Sequence, residues 1–310
     1  MVSFKMAYVP GGLTFPWGEF DDSKYTVKNA YWIAETETTY ELWKKVYDWA
    51  TDDARETNKY TFANPGQMGS AEDEVDMTDQ HPVTMVSWRD CIVWCNALTE
   101  WYNANNGTSY DCVYYTDESY TTPLRTATNG SATGNKTPGS EDYPYIKADA
   151  DGNLKMDDCS AKGFRLLTKH EWELAARYRG NDTTNVVTGI VSYFNFDNME
   201  IKWTKGNSAS GDTQAFNAET PTVGDYAVYI ENSSGKTAEV KTKIPNALDL
   251  YDMSGNVGEW VINFNGGFAQ LYRGGSYNYG ANYVRVGLQS LDQYVNNMRN
   301  YIGFRFARSQ

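Results

Sequence analysis

The chain has 310 residues with a formal net charge of −13, and is 41% hydrophobic and 15% aromatic. This length allows one large domain or two smaller ones, and the apolar content excludes a disordered chain. The acid excess runs against binding to nucleic-acid backbones or anionic lipid, both of which select clustered Lys and Arg, so no nucleic acid is expected among the partners.

No apolar run approaches the roughly 20 residues of a membrane span, so no transmembrane segment is expected. The opening MVSFKMAYVPGG lacks a charged-then-apolar export pattern, which leaves either a cytoplasmic chain or a mature portion. Tyr31–Ala34 reads as a short strand. Thr38-x-x-Glu41 then sets up a capping box for a helix with Leu42, Val46 and Trp49 on one face. Val83–Val86 is a second strand. Ser87-x-x-Asp90 opens a longer helix whose apolar stripe is Cys91, Trp94, Cys95, Leu98 and Trp101. Thr168-x-x-Glu171 starts a third, burying Trp172, Ala175 and Ala176. Near the C-terminus, Tyr283–Leu288 and Ile302–Ala307 read as strands. Val284 and Val286 then point inward, with Tyr283 and Arg285 on the opposite face. Few helices and several short strands in no βαβ order give an α+β fold.

Two segments rich in Asn, Gly, Ser, Thr and Asp, about 103–162 and 180–243, are too long for plain loops and read as insertions with local hairpins. Asp151-Gly152 fits a turn between Tyr145–Lys147 and Leu154–Met156. The run Asp149, Asp151, Asn153 has its Gly misplaced for an EF-hand and lacks the closing Glu. Cys91 and Cys95, at i,i+4 within an apolar stripe, read as buried free thiols; Cys112 and Cys159 are left either paired or free. Only His81 and His170 are present, which argues against a histidine-rich metal centre; His81 reads as structural and His170 as a solvated helix-start residue.

The last stretch uses a peculiar alphabet. From Gly274 onward there is no Lys, Glu, Trp, His, Thr, Pro or Cys, while Asn and Tyr recur between the phrases RGGSY (273–277) and IGFRFAR (302–308). Replacing only the adenines of AAC or AAT codons yields Tyr, Asp, Ser, Gly, Ile, Val, Leu and Ala, but never Lys, Glu, Trp, Met or Gln. Gln289, Gln293 and Met298 then have to be fixed positions or template changes.

Read in order, HPVTMVSW (81–88), GFRLLTKHEWELAAR (163–177), NALDLYDMSGNVGEWV (246–261), RGGSY and IGFRFAR resemble the formylglycine-generating enzyme family, a branch of the C-type lectin fold. The resemblance implies a single C-type lectin-like domain over 1–310, with the two polar segments as insertions. Trp172, Leu250 and Trp260 are then core anchors, and Arg165 and Arg305 pair with interior carboxylates such as Glu173 or Glu259. The family's copper-dependent thiol chemistry implies two cysteines after the RGG-S-aromatic phrase. In that register this chain carries Tyr279 and Val284, neither of which forms a thiolate. The related non-haem-iron branch needs more histidines, and no G-x-S-x-G motif supports a hydrolase. The expectation is therefore no catalytic residue and no enzyme.

The codon pattern resembles the variable proteins of diversity-generating retroelements, which close a C-type lectin fold with a mutable C-terminus. That implies a receptor- or adhesin-like protein at the cell surface, with a possible lipid anchor outside this chain and a protein or other macromolecule as its ligand. Tyr contributes large contact area at low entropic cost, and Ser and Asn adaptable hydrogen bonds. The expected contact surface is Tyr277, Tyr279, Asn282, Tyr283, Ser290, Leu291, Asp292, Tyr294, Asn296, Asn297, Asn300 and Tyr301. The alternatives are a formylglycine-generating-type oxidoreductase and a calcium-dependent sugar-binding lectin. For the latter, SGNVGEW offers oxygens from Asn256, the Gly258 carbonyl and Glu259 for a structural calcium, but no Glu-Pro-Asn or Gln-Pro-Asp signature is present. No other cofactor is expected.

Overall fold

A computed structural model describes residues 3–70, 77–132, 137–147, 161–217, 222–263, 269–289 and 293–310. The first and last strands share one antiparallel sheet, in the order Met6–Val9, Tyr31–Ala34, Phe306–Ser309, Phe164–Leu166. A smaller three-stranded sheet places Gly258–Trp260 between Tyr272–Arg273, which is antiparallel to it, and Ile302–Gly303, which is parallel. The architecture is α+β, as the pattern of elements implies.

Helix α1 spans Tyr40–Thr51, α2 Trp88–Asn106 and α3 Lys169–Arg177. The capping boxes at Ser87/Asp90 and Thr168/Glu171 both form, each satisfying two otherwise orphaned helix-start donors. At α1 the cap is Thr39, one residue later than the sequence suggests, with its hydroxyl accepting from Leu42 N–H. Leu42, Trp43, Val46 and Ala50 form the buried face of α1, whereas Trp49 is half-buried, its ring 3.6 Å from the Arg55 guanidinium. Trp43 and Trp94 stack at 5.6 Å, and Phe304 meets both edge-on, so the two helices lock onto the C-terminal strand region.

The buried charges form a web across the sheets. Arg305 donates to both oxygens of Glu259, as expected. Arg165 instead takes Glu171, the same carboxylate that closes the α3 capping box. Glu173 is held by Arg177 at 2.8 Å and by Arg273. The two carboxylates are only two residues apart on α3 and so face different sides of the helix, Glu171 toward Arg165 and Glu173 toward Arg177 and Arg273.

Other expectations need correction. Tyr283–Leu288 is not a strand: Ala281–Tyr283 makes a 3-10 turn, and Val286 and Gly287 donate to Ser208 and Gly206 of the second insertion rather than to a neighbouring strand. Val284 and Val286 are nevertheless fully buried. The Ile302–Ala307 run divides into Ile302–Gly303 and Phe306–Ser309, one in each sheet. Of the Val83–Val86 strand, only Val83–Thr84 is laddered, to Gln67–Met68. Tyr145–Ile146 pairs with Tyr114–Tyr115; the Asp151-Gly152 turn, the Asp149–Asn153 run and Cys159 lie outside the described residues. Cys91, Cys95 and Cys112 are buried and free. His170 is not solvated: it stacks on Tyr25 at 3.5 Å and meets Trp17 at 4.6 Å. Burial, then the neighbouring Lys169 and Arg273 charges, push its imidazole down to about 3. Among the described residues no helix is long and apolar enough to cross a membrane.

Candidate functional site

The segment that follows Tyr272–Arg273 returns to the small sheet at Ile302–Gly303, so both its ends are pinned on the single strand Gly258–Trp260. Gly274 and Gly275 start it at φ +94° and +73°; a Cβ on Gly275 would lie 2.4 Å from the Tyr283 carbonyl oxygen, so a side chain is excluded there. Val284, Val286 and Val295, all fully buried, are the pegs that seat the segment on the body.

Its described backbone is held at several points by main-chain groups. Gly255 N–H donates to Gly274 O at 2.8 Å, Tyr277 N–H to Asn256 O at 2.8 Å, Ile230 N–H to Tyr279 O at 3.1 Å, and Met85 N–H to Arg299 O at 3.1 Å. The Arg273 guanidinium donates to Val286 O and Leu288 O, each at 2.8 Å, while its charge is met by Glu173. The chain path therefore depends on Arg273, the glycines and the valine pegs, and little on the outward side chains.

Tyr279, Tyr283 and Tyr301 come together: Tyr279 lies 5.5 Å from Tyr283 and 5.7 Å from Tyr301, ring to ring. Tyr272 completes the cluster from beneath, its hydroxyl 3.3 Å from that of Tyr279. Tyr283 is 57% exposed and Tyr294 52%. Burial first, then the Tyr272 hydroxyl, push Tyr279 up to about 12, and burial also raises Tyr301. Asn282 is exposed and accepts from Arg285, which also pairs with Glu19. Tyr294 and Asn297 form a second group: Gln293–Tyr294 ladders onto Ala269–Gln270, and the Asn297 amide donates to Gln293 at 3.0 Å. Asn296 and Asn300 are half-buried.

Tyr277 is the correction. It is 3% exposed, turned inward two residues after the second left-handed glycine, and belongs to the scaffold. Ser290, Leu291 and Asp292 lie outside the described residues. Sequence reading missed the border supplied by the second insertion, where Ile230 is 53% exposed beside Tyr279 and Glu231 approaches Gly280. The only signal for it was an apolar run, Tyr226–Ile230, inside an otherwise polar stretch.

The calcium expectation meets a different arrangement. Both Glu259 oxygens face Arg305, and Oε2 also accepts from Trp172 Nε1 at 2.7 Å. Asn256 Oδ1 accepts from Ala238 N–H at 3.0 Å, and its amide donates to Glu37 at 2.7 Å. Gly258 N–H donates to Tyr301 O. Burial, then the Asp252 and Glu259 charges, push Glu37 well above the usual carboxylate range, and burial pushes Asp252 up to about 6. The protein itself has thus taken up the side-chain oxygens named for an ion. Among the described residues no group of three or more His, Cys, Asp or Glu is arranged to hold a metal.

At the positions matching the enzyme family's cysteines, Tyr279 is half-exposed and Val284 is a buried peg. Burial pushes the Cys91 and Cys95 thiols well above the usual thiol range, which opposes thiolate formation. His81, 5% exposed, shares a 3.0 Å hydrogen bond with the Thr237 hydroxyl.

Residues 4–310 match the model of the sulfatase-modifying factor enzyme 1-like domain. Among solved structures, the fold is similar to Treponema denticola variable protein 1, with a TM-score of 0.66 and 26% identity over 100% of this chain and 96% of that one. It is also similar to CarF, at 0.65 and 25% over 100% of both chains. PvdO from Pseudomonas aeruginosa shares the fold at 0.55 and 16%, over 98% of this chain and 94% of that chain. A chaperone protein LppX from Paenibacillus barcinonensis is 30% identical over 187 residues, 59% of this chain; the match spans about half, 51%, of that relative's length.

Proposed function

Because the chain belongs to the sulfatase-modifying factor enzyme 1-like family, we propose that it is a non-enzymatic member whose C-terminal face binds a protein or other macromolecule. In this reading the outward positions of 273–310 are diversified by a retroelement, and the protein is displayed at the cell surface as a lipoprotein whose anchor lies outside these residues. The observation that carries the proposal is the division of labour within the segment. Main-chain hydrogen bonds, Arg273 and the three buried valines hold the path, while Asn282, Tyr283 and Tyr294 are exposed and Tyr279, Asn296, Asn297, Asn300 and Tyr301 half-exposed. A surface held this way tolerates side-chain variation without refolding, which is what a diversified binder requires. The likeness to a Treponema denticola protein named for its variability supports the same reading. Tyr279 and Val284 in place of thiols argue against the oxidase alternative.

The test is a displayed library varied at Tyr279, Asn282, Tyr283, Tyr294, Asn296, Asn297, Asn300 and Tyr301 and selected against hen lysozyme. The expected result is clones that bind lysozyme specifically and lose binding when those positions are reverted. Failure to recover any such clone, or copper-dependent oxidation of a peptide thiol by the unmodified protein, would overturn the reading.

A further inference from the structure

A second site lies on the larger sheet. Trp32 stands opposite Arg308, and Arg308 opposite Phe164, across three adjacent strands. Directly opposed residues of an antiparallel ladder share a face, so an aromatic, a cation and an aromatic stand in one row. The last turn of α2 lies over the end of that row. Between them is a cleft of about 410 Å³ lined by Phe4, Trp32, Trp101, Tyr102, Asn106 and Arg308, among others. That volume is within the range of small-molecule sites, which are mostly apolar with a few placed polar groups.

Arg308 is the placed polar group. Its guanidinium lies 5.6 Å from the Trp32 ring and 5.5 Å from the Tyr110 ring, two contacts that orient its plane. Its hydrogen bond among the described residues, to the Ser309 carbonyl, is long at 3.4 Å. Every other arginine except Arg299 pairs with a carboxylate among the described residues. The chain holds 40 Asp and Glu, yet among the described residues no acidic side chain lines this cleft. An oriented guanidinium fork with few of its donors used, among aromatic walls and without a competing acid, matches one ligand chemistry: a carboxylate attached to a flat apolar group.

We propose that this cleft binds a small aromatic carboxylate, its acid clasped by Arg308 and its ring against Trp32 and Tyr102. The rival role for Arg308 is to complement the C-terminal end of α2, whose last turn carries no basic residue. Calorimetric titration of the full chain with indole-3-acetate, indole and tryptamine separates the two. Indole-3-acetate is expected to bind roughly tenfold more tightly than the neutral or cationic analogue, since only it can use charge-assisted hydrogen bonds. Arg308→Gln is expected to remove that advantage while leaving indole binding unchanged. Asn106→Asp, at the exposed end of α2, is expected to weaken indole-3-acetate and strengthen tryptamine. Equal affinity for the three probes would overturn the proposal, as would no saturation by about 10 mM. So would an Arg308→Gln protein that loses thermal stability but binds indole-3-acetate as before. If Arg308→Gln does not fold, Asn106→Asp decides: opposite shifts for the acid and the amine support the site, and no shift for either refutes it.

Discussion

The inner and outer positions of the segment between Arg273 and Gly303 follow opposite rules. Inward, Arg273, Val284, Val286 and Val295 are fully buried and have fixed partners. Outward, Tyr283 and Tyr294 are more than half exposed, and the chain beneath them is held by main-chain groups. One stretch of sequence thus interleaves buried, partnered side chains with outward ones. Carbonyls, glycines and buried valines carry the tertiary contacts of this stretch, so its path is expected to depend little on the outward side chains.

The largest expected effect comes from removing an inner partner. Arg273→Ala leaves the Glu173 charge short of one partner and the Val286 and Leu288 carbonyls without their donor. A loss of about 3–5 kcal/mol in urea unfolding is expected, the range for a broken buried ion pair. Val286→Ala keeps the charges and opens a cavity, with an expected loss of about 2 kcal/mol in the same assay. A loss of stability in either variant no greater than for an outer position would break the distinction.

A pH effect sharpens it from the body of the protein. His170 stacks against the Tyr25 ring and is held down to about 3, whereas the unfolded side chain titrates near 6.5. Between those values the unfolded chain binds more protons at this site, so its contribution to stability falls as pH drops from about 6.5 toward 3. Asp252, pushed up from 3.8 to about 6, acts in the opposite direction between those two values, which covers most of that window. The difference between the wild type and His170→Phe isolates the histidine. The substituted ring is expected to retain the stack, and the variant to lose less urea resistance than wild type between pH 7 and pH 4.5; parallel losses would refute this account. The smallest effect is expected outside. Tyr283→Ala should change stability by no more than about 0.5 kcal/mol, the usual range for exposed positions, and Asn296→Ser, at a half-buried position, by less than either inner variant.

Much of the scaffold was legible in the sequence because its signals are local. Ser87 with Asp90 and Thr168 with Glu171 are caps whose partners lie three residues away. The alternation of Val284 and Val286 gave their burial even though no strand forms there. What was illegible depends on distant partners. Thr38 and Thr39 are adjacent capping candidates, and only the tertiary position of α1 chooses the second. His170 is covered by Tyr25 and Trp17 from a hairpin far away in the chain. Tyr277 uses the same alphabet as the display residues, and only the turn at Gly274 and Gly275 sends it inward. Ile230 borders the surface from an insertion whose one apolar run, Tyr226–Ile230, does not say what it packs beside.

Two matched libraries test the independence of path from outward side chains most directly. One varies Tyr279, Asn282, Tyr283, Tyr294, Asn296, Asn297, Asn300 and Tyr301 through the same degenerate codon; the other applies that codon to Val284, Val286 and Val295. Sorting displayed cells for protease resistance reads the folded fraction of each. The account predicts that most outer-library clones resist cleavage and that few inner-library clones do. Equal folded fractions in the two libraries would contradict it.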